Sequence, residues 1–135
     1  MHTVKFNNVE IENHLSELEP LLEKTNMVGY IAAMNYRNLN EAVKEYHQLR
    51  DKIIEECGEE AEDENGNKVK RVTKGTPAWD TFLERLEPIA GFEHEVQILK
   101  MDAKEASEFL TGRQILNLEW MITFAGDQIT PPPGA

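Results

Sequence analysis

Four histidines, one cysteine and two adjoining blocks of opposite charge are the groups in this chain that could do chemistry or recognition. His14, His47 and His94 fall on three separate predicted elements, and His2 stands beside the first residue. His-x-x-x-His, Cys-x-x-Cys and Asp-x-Asp-x-Asp-Gly do not occur in the sequence, so neither a dedicated zinc site nor an EF-hand is expected. Asp63-Glu64-Asn65-Gly66-Asn67 has the outline of a calcium loop but lacks alternating ligands and a terminal bidentate glutamate at the right distance. His94 lies between Glu93 and Glu95, which suggests acid–base work. On a strand those carboxylates point to the face opposite the imidazole, and His94 then reads as a half-buried structural residue. Cys57 has Glu55, Glu56, Glu59 and Glu60 close in sequence; carboxylates disfavour a thiolate, so a buried structural cysteine is expected. Neither a glycine-rich phosphate loop nor Gly-x-Ser-x-Gly is present. The expectation is no catalytic residue, no metal and no cofactor.

The charge blocks point to recognition instead. Glu59, Glu60, Glu62, Asp63 and Glu64 form an acidic run, and Lys68, Lys70, Arg71 and Lys74 follow across an Asn65-Gly66 turn. Arms of opposite sign flanking Asn-Gly predict a charged β-hairpin over 58–75, each exposed pair contributing only about 0.2–1 kcal/mol. The basic arm could touch phosphate, but its acidic neighbour favours an internally neutralised hairpin. The chain as a whole carries a formal charge of −11, from 14 lysines and arginines against 25 acidic residues. That balance argues against a general nucleic-acid binder and against docking on anionic membrane. It permits a basic protein partner or mimicry of nucleic-acid charge, and at the least it favours solubility. No run approaches the roughly 18 apolar residues of a membrane span, and the start of the chain has no signal-peptide pattern. With one cysteine and no intrachain disulfide, a reducing, cytoplasmic setting is expected.

These groups must be held by a framework, and the stretch 26–58 dominates it. Asn26 is a good N-cap, Gly58 follows the helix end, and no proline intervenes. Leu39, Val43, Tyr46, Ile53 and Cys57 recur at helical spacing, with Met27, Ile31 and Met34 as a similar stripe upstream. The spacing predicts one helix about 45 Å long. Tyr30, Tyr36 and Tyr46 fit its packing seams. Upstream, Val4 to Val9 could be a strand or extended entry, and 10–24 reads as a helix broken near Glu19-Pro20. A tight turn at Thr25-Asn26 makes the two helices an antiparallel hairpin. Downstream, Thr76 caps a helix with Pro77 at its first position, Trp79, Phe82, Leu83 and Leu86 as its apolar face, and Pro88 and Gly91 as its end. Phe92, His94, Val96 and Ile98 alternate as a strand, whose partner is either the charged hairpin or the first segment. Asp102 caps a short helix over 103–110. Residues 113–124 read as a closing helix, apolar on most sides and therefore buried or docked on a partner. Within it Trp120 is a candidate anchor for a partner, weighed against a place in the core.

The closing stretches of 49–58, the Asp63-to-Asn67 turn, Phe82-Leu83-Glu84-Arg85-Leu86, Glu93-His94-Glu95-Val96 and Ile115-to-Ile122 occur in a familiar order. Over roughly residues 10–123 the chain resembles a family of small acidic proteins of unknown function encoded by bacteriophages and prophages of Gram-positive bacteria. An aromatic residue usual in that family before the glycine is Cys57 here. The resemblance implies a phage origin and one α+β domain; it carries no activity and no functional residues.

The expected fold is thus α+β and mainly helical: a long central helix in an antiparallel hairpin, a small β element at one end and a C-terminal helix, all within residues 1–125. Residues 126–135, with three consecutive prolines, form an expected tail. The expected function is that of a non-enzymatic phage accessory protein in the host cytoplasm, acting by protein–protein contact with a phage or host protein or with itself. Glu59, Glu60, Glu62, Asp63, Glu64 and Trp120 are the candidate partner-binding residues. One alternative is an anti-defence inhibitor whose acidic surface mimics nucleic acid. A further alternative is a small enzyme that would cluster polar groups around one of the histidines.

Overall fold

The computed structural model describes residues 1–124, and the tail expected over 126–135 lies outside the described residues. Strand β1, His2–Asn7, runs directly into helix α1, Asn8–Leu18. Asn7 ends one and caps the other: its Oδ1 accepts from Glu10 N at 2.8 Å, while its own N donates to Glu10 Oε1 at 3.0 Å. This reciprocal cap starts the helix two residues earlier than the apolar spacing suggests. Helix α1 gives way at Glu19–Leu21 to a 3₁₀ turn holding Pro20, where the missing N–H leaves no bond unmade.

Helix α2, Met27–Ala42, is capped by Asn26, whose Oδ1 accepts from Gly29 N at 3.2 Å, and it packs against α1 as the expected helical hairpin. Its buried stripe is Val28, Ile31, Ala32, Asn35 and Leu39; Met27, read from spacing as part of the stripe, is 54 % exposed. The single helix predicted over 26–58 is divided. Val43 leaves helical geometry at φ −96°, ψ 3°, and α3, Lys44–Cys57, starts after it. Bonds from Val43 N to Leu39 O and from His47 N to Val43 O bridge the break. Neither proline nor glycine marks the spot, so the cause is tertiary. Val43 is buried in the main core, whereas Tyr46 and Ile53 beyond it are buried outside that cluster, with α3 lying chiefly against a later helix. The turn at Val43 re-aims the apolar face from one set of neighbours to the other.

After Gly58, β2, Glu59–Glu62, pairs antiparallel with β3, Lys68–Arg71, as the predicted hairpin. Gly58 is in extended conformation, and its value is close approach: a Cβ there would stand 2.5 Å from Ile54 O and 3.1 Å from Arg71 N and O. Helix α4, Pro77–Ala90, is capped by Thr76 and contains Pro88 rather than ending at it; Gly91 is its C-cap. Strand β4, Glu93–Ile98, pairs with β1, Val4 opposite Val96 and Phe6 opposite His94. One face of this two-stranded sheet places Phe6, Val96 and Ile98 in the main core with α1 and α2. Where the ladder ends, Asn35 takes over: fully buried, it donates from Nδ2 to Leu99 O at 2.9 Å and accepts from Leu99 N at 2.7 Å.

The C-terminal part departs from its prediction. Strand β5, Met101–Asp102, and helix α5, Ala103–Phe109, fit the expected cap at Asp102. The closing helix predicted over 113–124 is instead a short helix α6, Gly112–Asn117, a 3₁₀ turn, Glu119–Met121, and strand β6, Ile122–Thr123, parallel to β5. Leu118, at φ −110° and ψ 17°, ends the helix. The stretch looks apolar all round because its pieces turn Leu118, Met121 and Ile122 inward along a path that no single helical face follows. Leu116 on the same stretch is 68 % exposed.

Candidate functional site

The histidines are built into ties between elements. His14 Nδ1 is 2.7 Å from Glu17 Oε1 on its own helix, its ring 4.5 Å from Phe6 and stacked at 4.4 Å on Trp120. Glu12 Oε1 on α1 accepts from both His47 Nε2 and Arg50 Nη1 on α3, each at 2.8 Å. Beside them the Tyr46 hydroxyl is raised above its ordinary pKa, first by desolvation and then by the Glu12 carboxylate. His94 Nε2 donates to Asn8 Oδ1 at 2.8 Å, and Asn8 Nδ2 donates to Ile89 O at 2.7 Å, so the buried Asn8 joins α1, β4 and α4. The three imidazoles thus serve three separate junctions. Among the described residues, no three His, Cys, Asp or Glu side chains converge as metal ligands.

Cys57 is half-buried rather than buried, and a cation missed in the sequence stands beside it. Arg85 Nη1 lies 3.5 Å from its Sγ, and Arg85 Nη2 lies 2.5 Å from Glu56 Oε2, joining the end of α3 to α4.

The six candidate partner-binding residues do not come together. Trp120 packs against the main core, edge-on to Phe6 at 5.7 Å and stacked on His14, with its Nε1 buried and unbonded. The acidic run stands on the hairpin. Its register sets Glu59 opposite Arg71, Glu60 opposite Lys70 and Glu62 opposite Lys68. Asp63 has a different job: its Oδ1 accepts from Asn65 N and Asn67 N, both at 2.9 Å, while Gly66 takes the positive φ of +80° that the loop needs. Those backbone N–H groups hold the Asp63 carboxyl below its ordinary pKa of 3.8. A depressed carboxyl contributes stability above its unfolded pKa and loses it as pH falls through the lower folded value. The Asn65 and Asn67 amide resonances should therefore hold position from neutral pH down to about 4 and move together below it. Asp63→Ala should displace them already at pH 7.

The arm formed by α3, the hairpin and α4 is thinly packed, although the most exposed large hydrophobics, Phe92, Tyr30, Met27 and Leu116 among them, lie outside it. Between residues 44 and 90 only Tyr46, Ile53 and Phe82 are buried hydrophobics, and none belongs to the main core cluster. Ile54, Val69, Val72, Trp79 and Leu86 are half-buried, Leu49 is 40 % exposed and Leu83 44 %. Two clefts result. One, about 390 Å³, lies where α1 meets the arm and is lined by Val9, Tyr46, Leu83, Leu86 and Ala90. The other, about 490 Å³, lies between α3, the end of β3 and α4; Ile54, Val72, Trp79 and Phe82 form its apolar part, with Lys70, Arg71 and Lys74 around them. Trp79 and Phe82 were legible as the apolar face of α4, but their place in an open cleft follows from how little of the chain covers that helix.

Comparison with protein-family models, with curated proteins and with solved structures finds no match. Among the described residues, no helix is long and apolar enough to cross a membrane.

Proposed function

We propose that this chain is a non-enzymatic accessory protein of phage origin that acts in the host cytoplasm by protein–protein contact, and that the α3–hairpin–α4 arm is the surface it uses. The thin packing of that arm carries the reading. Few hydrophobic side chains are buried beneath that arm and several more are left partly exposed on it, whereas the rest of the molecule has a continuous core. A patch of this kind on a soluble domain is characteristic of a binding site. The resemblance to phage and prophage proteins supports the setting.

The test is affinity capture from a lysate of phage-infected Gram-positive cells, with Leu83→Asp as the comparison. Leu83 is 44 % exposed, so the charge can be introduced without opening the core. The expected result is a partner retained by the wild type and lost by a folded Leu83→Asp variant. Identical capture by both proteins contradicts the use of the arm.

The anti-defence alternative draws less support. The carboxylates of β2 that would imitate phosphates stand opposite three cations of the same hairpin. Inhibition of a host nucleic-acid enzyme by the wild type, abolished by charge reversal at Glu59, Glu60 and Glu62, would favour that reading instead.

A further inference from the structure

We infer that the cleft between β3 and α4 receives an acidic peptide segment bearing a large apolar side chain, supplied by the partner protein. The inference rests on the protein–protein reading and adds the chemistry of what is bound. Ile54, Val72, Trp79 and Phe82 offer an apolar seat of about 490 Å³, within the usual size of a small-ligand pocket. Lys70, Arg71 and Lys74 stand on the same cleft. Among the described residues none of these three cations lies within 4.0 Å of a carboxylate, although Arg50 and Arg85 each do. The hairpin register sets Glu59 opposite Arg71 and Glu60 opposite Lys70, with neither pair closing to an ion pair within 4.0 Å. Lys70 and Arg71, which make no ion pair within 4.0 Å although they stand opposite Glu60 and Glu59, and Lys74, which lies over the Trp79 ring, border an apolar seat and complement a segment that alternates carboxylates with a leucine or an aromatic residue.

Two observations favour a peptide over a single-stranded nucleic acid. Lys74 Nζ sits over the Trp79 ring at 5.9 Å, and Phe82 lies against the same ring with centroids 5.8 Å apart, so the indole is left to edge packing with an apolar side chain rather than to face-on stacking with a base. The apolar seat also includes two aliphatic side chains that a base edge does not need. The chain's overall charge of −11 acts at longer range and is damped beyond about 8 Å at physiological ionic strength. Binding in the cleft is therefore set by its near charges, Lys70, Arg71 and Lys74 against Glu55, Glu59 and Glu60.

The probe is a short fluorescein-labelled peptide of glutamates and aspartates carrying one leucine and one phenylalanine a helical turn apart. Controls are an all-glutamate peptide of equal charge and a single-stranded oligonucleotide of equal charge. Anisotropy should show the apolar acidic peptide binding with Kd below about 100 μM and the all-glutamate control at least about tenfold more weakly. Trp79→Ala and, separately, the surface double variant Lys70→Glu/Lys74→Glu should each weaken binding about tenfold. The double variant keeps the test decisive if Trp79→Ala unfolds. Absence of peptide binding, or binding untouched by Lys70→Glu/Lys74→Glu, overturns the inference. Tighter binding of the oligonucleotide overturns it in favour of nucleic acid, and self-association lost in the double variant overturns it in favour of a second copy of the chain. A lysate partner that is lost with Leu83→Asp yet kept by Lys70→Glu/Lys74→Glu removes this cleft while leaving the protein–protein reading intact; loss of neither removes both.

Discussion

Asn35→Ala should destabilise the protein by about 4 kcal/mol, the largest loss expected from a side chain that touches no proposed partner. Two effects add. Leu99 N and Leu99 O lose their only side-chain partner, and an unsatisfied buried group costs about 1–3 kcal/mol. The removed amide also leaves a small void beside Met121, whose Sδ lies 3.7 Å from Asn35 Nδ2. Against a typical domain stability of about 5–15 kcal/mol such a loss is readily measured by urea unfolding. Asn35→Asp gives a sharper check. The carboxylate still accepts from Leu99 N but faces the Leu99 carbonyl with no proton to donate. Burial raises its folded pKa, so stability is greater near pH 4 and falls as pH rises above the unfolded value of about 3.9. That is the opposite sense to Asp63. A variant as stable as the wild type at pH 7 would show that the Asn35–Leu99 pairing does not hold α2 to the end of β4.

Gly29→Ala should be destabilising by about 3 kcal/mol or more, a result that helix propensity alone predicts with the wrong sign. In a helix, alanine is favoured over glycine by roughly 1 kcal/mol. A Cβ at Gly29, however, would stand 1.9 Å from Lys24 O and 2.7 Å from Lys24 C. Both are backbone atoms of the tight connection between the 3₁₀ turn and α2, so relief requires moving the connection itself. The thermal midpoint should drop by roughly 10 °C. Gly91→Ala is the matched control: it sits at a helix C-cap in ordinary αR geometry with nothing within 4 Å of a new Cβ, and should leave the midpoint within a degree or two. Equal midpoints for the two alanine variants would refute the steric account of Gly29.

Much of this architecture was legible because its signals are local. The Asn26 and Thr76 caps, Pro77 at a first helical position, the Asn65-Gly66 loop and the alternation through Val96 and Ile98 each act within a few residues, and each element formed. The Asn7–Glu10 capping box is an equally local signal, and it sets the start of α1 at Asn8 where apolar spacing alone points to Glu10. The break at Val43 and the breakup of the last helix at Leu118 carry no local marker. Val43 and Leu118 are fully buried aliphatic residues whose geometry is imposed by the neighbours they pack against. Gly29 and Asn35, among the most demanding positions in α2, look like flaws in an apolar stripe when only hydrophobicity is followed.

The candidate surface was legible in its parts and not in its assembly. The acidic run and Trp120 drew attention by composition. Yet the register sets the former against Lys68, Lys70 and Arg71, and the latter packs on His14 and Phe6. The cleft draws on Ile54, Val72, Trp79 and Phe82, which are 28 residues apart at their extremes and ordinary in type. What distinguishes Ile54, Val72 and Trp79 is incomplete cover over a buried Phe82, a property of packing that sequence spacing does not report.

Native-state hydrogen exchange tests the division into a solid core and a lightly supported binding arm most directly. Amides of α3, the hairpin and α4 have three buried hydrophobic side chains behind them, whereas those of α1, α2, β1 and β4 share the main core. The account predicts that amides in the arm open together at a lower free energy than those of the core, in a sub-global unit bounded near Val43 and Gly91. Exchange of both regions through one global unfolding event, with equal protection in α2 and α4, would contradict it.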